Sequence, residues 1–242
     1  MNQEKNINAF SVPAAILVGA IIIACAIVWV LHPASTSPTA AQNIANPSAP
    51  IVDASKVKTD GEPFVGNPNA SITIAYWFDY QCPFCKQDEE NVVTSIISDY
   101  VNSGKVKIVF KDFPFLGFQQ GIQDSETLAV AARAVFDVDP SKFYDWHKDV
   151  FENQGQESSG WATQSKINQI TTEVLGAKES AQVASLMISK ATTYQNEIAA
   201  DKAEGSSLGV NGTPAMVIGK QLLVGAEPYS AVKSAIDTAL GS

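Results

Sequence analysis

An α/β domain behind an N-terminal apolar segment is the architecture the sequence predicts. Three observations lead to it. A strand-like run ends in Cys82-Pro83-Phe84-Cys85 and passes into helical spacing, the middle of the chain is rich in helical patterns, and Thr213-Pro214 precedes a hairpin and a last helix. The 242 residues carry 16 Lys and Arg against 25 Asp and Glu, with Arg133 the sole Arg. A net charge of −9 without any basic run argues against a nucleic-acid partner.

The N-terminus is read first. Residues 10–31 contain no charge and are long enough to cross a bilayer core as a helix, longer than the apolar core of a cleaved signal peptide. Lys5 lies in the short tail 1–9, and no Lys or Arg follows the segment until Lys56. The expected topology is therefore a cytoplasmic tail 1–9, a signal anchor 10–31 and the remaining chain outside the cytoplasm. Cys25, after Ile22-Ile23-Ala24, keeps a lipidated N-terminus open as an alternative, although Ala26 to Leu31 stays apolar where lipoproteins turn polar. Residues 32–59 are mostly Pro, Ser, Thr, Ala and Asn and read as a flexible linker, leaving 60–242 as one folded domain.

Within that domain, residues 71–79 are β-branched and aromatic and read as a buried strand. Pro83 suits the first position of a helix, and Val92, Val93, Ile96, Ile97 and Val101 continue it at helical spacing. Gly104 stops this helix, and residues 105–110 alternate as the next strand. Helices are expected over 126–136 with Asp124 or Ser125 as cap, then over 141–153, 162–175 and 178–204, the last long or kinked. A short strand after Pro214, a turn at Gly219-Lys220, a partner strand at 221–224 and a helix over 229–240 close the chain.

Chemistry concentrates in the cysteines. Cys82 falls at a helix N-terminus, where unpaired N–H groups and the helix dipole favour a thiolate. Zinc needs four ligands, and only Cys25, His32 and His147 stand beside this pair. No metal is expected, and a purely structural disulfide across so short a loop would stabilise little. Dithiol–disulfide exchange is the chemistry these parts suit.

Phe78-Asp79-Tyr80-Gln81-Cys82-Pro83-Phe84-Cys85, Phe110-Lys111-Asp112-Phe113-Pro114 and Gly209-Val210-Asn211-Gly212-Thr213-Pro214 together resemble the DsbA-like thiol–disulfide oxidoreductases of the thioredoxin superfamily, in particular their membrane-anchored members. The resemblance covers about 66–240 and implies a thioredoxin fold with a helical insertion, here about 115–208. It implies that Cys82 is an exposed nucleophile, Cys85 its buried partner, and the Cys82–Cys85 disulfide the only redox group. Pro214 corresponds to the family's cis-proline, and Thr213 would pair its backbone with an extended substrate. Phe84, with Tyr80, would form an apolar lip for that substrate, the alternative being a semi-exposed hydrophobe of no special role. Pro83, Asp79 and Glu89 are tuning candidates. Asp79 reads more readily as a turn carboxylate and Glu89 as part of a solvated helix face, while His147 reads as structural or superficial.

Two departures qualify the resemblance. Phe84 stands where the best-known members have His, and Tyr76 where they have a buried Glu. A thiolate pKa lowered by ~3 units is worth ~4 kcal/mol, on the order of 90 mV, and Phe84 contributes none of it. The expected enzyme oxidises more weakly than the His-containing members and more strongly than thioredoxin. Its partners would be exported proteins with thiols and a membrane quinone-linked thiol oxidase that recycles it. A reductase or isomerase of the same compartment, and a non-catalytic thioredoxin-fold chaperone or binding module, remain alternatives.

Overall fold

The computed structural model describes residues 51–52, 57–117 and 120–241. The tail, the apolar segment with Cys25 and most of the linker lie outside them. Among the described residues no helix is long and apolar enough to cross a membrane.

Five strands form one sheet in the order β1 (Phe64–Gly66), β3 (Val106–Asp112), β2 (Ile72–Phe78), β4 (Ala215–Ile218) and β5 (Gln221–Val224). Central β2 runs parallel to β3, pairing Tyr76 with Phe110, and antiparallel to β4, pairing Trp77 with Ala215. Its period of two divides the core. Ile74, Tyr76 and Phe78 point into the larger cluster, whereas Ala75 and Trp77 meet Val217 and Leu222 in the smaller one. Burial on both faces explains why β2 reads as an unbroken apolar run.

Helix α1 connects β2 to β3. It starts as Pro83–Asp88 and widens into π turns at Glu89–Val93 and Ile97–Val101, on either side of Thr94–Ile96. The helical insertion between β3 and β4 comprises α2 (Asp124–Val138), α3 (Phe143–Glu152), α4 (Gln164–Leu175), α5 (Ala177–Ser189) and α6 (Ala191–Leu208), and α7 (Tyr229–Leu240) closes the chain.

Three expectations need correction. β1 was not foreseen, because three half-buried residues carry no period; its pairing with β3 places it at the sheet edge. Asp124 and Ser125 lie inside α2 rather than capping it. The Asp124 carboxylate accepts the Trp161 and Ala162 N–H groups, and Ser125 Oγ donates to Asp79. The stretch 178–204, expected as long or kinked, is two helices broken at Lys190; α5 packs on α4 and α2, and α6 on β3 and α2.

A buried ion network fastens the insertion to the sheet. Arg133 of α2 donates to Asp112 of β3 at 2.8 Å, to Glu62 at 2.7 Å and to Asp201 of α6. Lys111 of β3 meets Asp201 and Glu204 at 2.5 and 3.1 Å. Several partners around each buried charge offset the cost of removing it from water.

Candidate active site

The end of β2 turns into α1 through Asp79-Tyr80-Gln81-Cys82. Cys82 N donates to the Asp79 carbonyl at 3.0 Å, closing a turn, and Cys85 and Lys86 N–H groups return to the Cys82 carbonyl at 3.1 and 3.2 Å. Cys82 is thereby the N-cap in extended conformation (φ −71°, ψ 119°), with Pro83 at the first helical position. Proline fits there because that N–H has no helical acceptor to lose.

Both cysteines are thiols in this structure. Cys85 is fully buried, and Cys82 is only 4% exposed, which corrects the expectation of an open nucleophile. The Thr213–Pro214 peptide is cis, and Cys82 Sγ lies 3.5 Å from the Thr213 carbonyl oxygen, to which it donates in its thiol form, across 131 residues of chain. The structure therefore assembles Cys82, Cys85, Thr213 and Pro214 at one place.

The two thiols titrate in opposite directions. A hydrogen bond from Cys85 holds Cys82 down at about 6; burial opposes this, and Thr213 with the Cys85 and Phe84 N–H groups assists. Burial pushes the Cys85 thiol well up, and its bond to the Cys82 sulfur adds to this. At neutral pH the pair is thus a thiolate at Cys82 and a protonated thiol at Cys85, with the nucleophilic form stabilised by the helix terminus and its partner.

Asp79 is a turn carboxylate. It accepts Gln81 N at 2.8 Å, Phe115 N at 2.9 Å and Leu116 N at 3.2 Å, along with the Ser125 hydroxyl. Burial raises its pKa, against the pull of these donors.

Glu89 is 1% exposed, so the solvated-face reading is wrong. It accepts the Tyr144 hydroxyl at 2.6 Å, and its second oxygen stands 3.4 Å from His147 Nε2. His147 is buried too, with Nδ1 and the Tyr80 hydroxyl 2.9 Å apart. Tyr80 cannot form a lip: it is 1% exposed and packs edge-on to Phe78. Phe84 is 60% exposed beside Cys82. Phe115, less exposed and anchored through Asp79, is a second exposed aromatic next to the cysteine loop.

Sequence reasoning placed Asp88 and Tyr76 near the motif but not their burial below the sulfurs. Asp88, one helical turn after Cys85, is buried and its carboxyl is pushed up to about 7 by burial and by Glu89. Tyr76 shares this pocket; burial first, then Cys85, Asp88 and Glu89, hold its hydroxyl well above the usual range. Gln154, which grips the cysteine loop, was unmarked because it belongs to no motif, and Gln81 was quoted within the cysteine motif without a role of its own. Among the described residues no group of His, Cys, Asp and Glu is placed to hold a metal ion.

Comparison with known proteins agrees with this geometry. The thioredoxin family model matches residues 58–238. Disulfide bond formation protein D of Bacillus subtilis is 24% identical over 180 residues, 74% of this chain and 78% of that protein. A probable disulfide bond formation protein D of Bacillus cereus is 26% identical over 177 residues, 73% and 77% of the two chains. Among solved structures, BdbD of B. subtilis superposes with a TM-score of 0.67 at 22% identity, covering 81% of this chain and 98% of that one. The thiol-disulfide exchange protein α-DsbA2 of Wolbachia pipientis gives 0.64 at 26% identity, covering 76% and 89%.

Proposed function

We propose, since the chain belongs to the thioredoxin family and is a thiol–disulfide oxidoreductase, that it works outside the cytoplasm as a dithiol oxidase of exported proteins. The observation that carries the reading is the Cys82–Cys85 pair at a helix N-terminus beside the cis Thr213–Pro214 peptide, and the lowered Cys82 thiol points to oxidation. A Cys82 held as thiolate near neutrality stabilises the reduced pair, so its disulfide passes oxidation on. A substrate thiolate attacks Cys82 of the disulfide, and Cys85 leaves as a thiolate and takes a proton. A second substrate thiolate then attacks the substrate sulfur of the mixed disulfide and releases Cys82 as a thiolate. The substrate loses two electrons and gains one disulfide; the pair gains both electrons.

Thr213 and Pro214 receive the substrate backbone beside Cys82, and exposed Phe84 offers it an apolar contact. Residues 10–31 anchor the domain and 32–59 tether it, and a membrane quinone-linked thiol oxidase restores the disulfide. Support comes from the uncharged run in the sequence, the absence of Lys or Arg between it and Lys56, and the names carried by the Bacillus relatives. A reductase or isomerase role is the second reading, favoured by Phe84 in place of His.

Trapping decides between exchange and a merely structural pair. Cys85→Ser should accumulate mixed disulfides with exported proteins in acid-quenched cells, and Cys82→Ser should not. No trapped species in either variant would sink the exchange reading. A reduction potential at or below that of thioredoxin would move the assignment to a reductase.

A further inference from the structure

The loop that joins α3 to α4 folds back onto the cysteine loop. Gln154 Nε2 spends both hydrogens there, on the Tyr80 carbonyl at 2.8 Å and the Cys82 carbonyl at 3.1 Å. Ser158 N donates to Gln81 Oε1 at 2.7 Å, and Gln81, itself buried, passes its Nε2 to Ser125 Oγ at 2.8 Å. Lys86 Nζ adds a longer tie to the Glu152 carbonyl at 3.4 Å.

This loop is shaped for the contact. Ser158 is the one non-glycine among the described residues with positive φ (56°), a left-handed conformation that costs a non-glycine residue about 1 kcal/mol or more. Gly155 is pressed against Trp161, where an added Cβ would meet Cγ at 2.5 Å. Trp161 N is in turn held by Asp124 at 3.0 Å.

We propose that Gln154 is a positioning residue for thiol–disulfide exchange, one that makes the helical insertion part of the redox site by holding the Tyr80 and Cys82 carbonyls. The Cys82 carbonyl already accepts two α1 N–H groups, and the Gln154 amide adds a third donor from outside the helix. With its peptide groups pinned on both sides, the Cys82 sulfur stays beneath the Phe84 and Cys85 N–H groups and opposite Thr213. Without Gln154 two carbonyls lose a donor, their partial negative charge is less compensated, and the turn relaxes. The groups that face Cys82 otherwise are Cys85, Asp88, Tyr76 and Thr213, none of which the substitution touches. The inference rests on Cys82 and Cys85 being a redox pair.

The test uses the full chain with Q154M, which keeps the length and removes both donors, and Q154E, which also adds charge. Thiolate absorbance should show the Cys82 titration moved upward by about one unit in Q154M and further in Q154E. From a midpoint of about 6, that shift lowers the equilibrium preference for the reduced pair about fivefold at pH 7, ~20 mV in potential. Q156M, the same exchange at an exposed position of the same loop, should leave both readings unchanged. A loop that serves stability alone would change thermal unfolding in the Gln154 variants while titration and potential stayed at wild-type values, and that result overturns the proposal. A wild-type protein with no low thiolate titration and no exchange activity overturns the redox reading itself, and the proposal with it.

Discussion

The Trp77 indole N–H donates to the Asp201 carbonyl at 3.0 Å, joining the C-terminal end of β2 to the fourth turn of α6. The approach depends on a residue four positions later. At Gly205 an added Cβ would lie 2.7 Å from Trp77 Nε1 and 2.9 Å from Cδ1. Asp201 also accepts from Arg133 and Lys111, so one helical turn sets both the packing of Trp77 and the charge balance of the insertion.

Gly205→Ala should therefore destabilise the protein, although alanine is the better helix former by about 1 kcal/mol. Trp77 is fully buried and cannot yield without displacing Asp201. Overpacking of this kind costs typically ~1–3 kcal/mol. Urea unfolding of the variant checks it, and equal or greater stability than wild type would show that the contact is not tight.

The potential should change slope near pH 6. Above about 6 Cys82 stays a thiolate when reduced while Cys85 keeps its proton, so two electrons enter with one proton. The potential then falls by ~30 mV per pH unit, against ~60 mV below the break, where two protons enter. The same lowered thiol makes the reduced form more stable than an unperturbed pair would be. That gain is present above the usual thiol value near 9 and is lost as pH falls through about 6. Titration against glutathione at several pH values measures both, and a single slope across pH 5–8 would contradict the divergence of the thiols.

Asp88→Asn should stabilise the protein at pH 8 and do little at pH 4. The Asp88 carboxyl is raised to about 7, so it favours folding below the ordinary carboxylate range and forfeits that contribution as pH rises through 7. The amide removes a buried charge, worth about 1–3 kcal/mol at pH 8. It also removes a negative neighbour of Cys82, so the thiolate should titrate slightly lower. Denaturant midpoints at the two pH values check the first effect; an equal difference at both would show that Asp88 does not titrate in this range.

Much of the site was legible because it is built locally. A β-branched run, a proline at the first helical position and Val92 to Val101 at helical spacing define strand, cap and helix within thirty residues. Thr213-Pro214 was readable as a partner of Cys82 only through the resemblance, since no local rule joins residues 131 apart. The solvent-facing appearance of Glu89 was misleading for the same reason. Its acceptor role is created by Tyr144, which arrives with His147 from α3 in the insertion.

The sequence by itself determined the strand–Cys82–helix unit, the helix-rich middle and the closing hairpin, because periodicity, caps and turn residues act over a few positions. Only the tertiary structure decided how deeply Cys82 is covered, that Asp88 and Glu89 are buried, and that Gln154 and Ser158 grip the cysteine loop. These depend on side chains and backbone groups brought together from distant segments. Hydrogen bonds and desolvation act at a few ångströms in space, and no pattern along the chain records which segments will come that close.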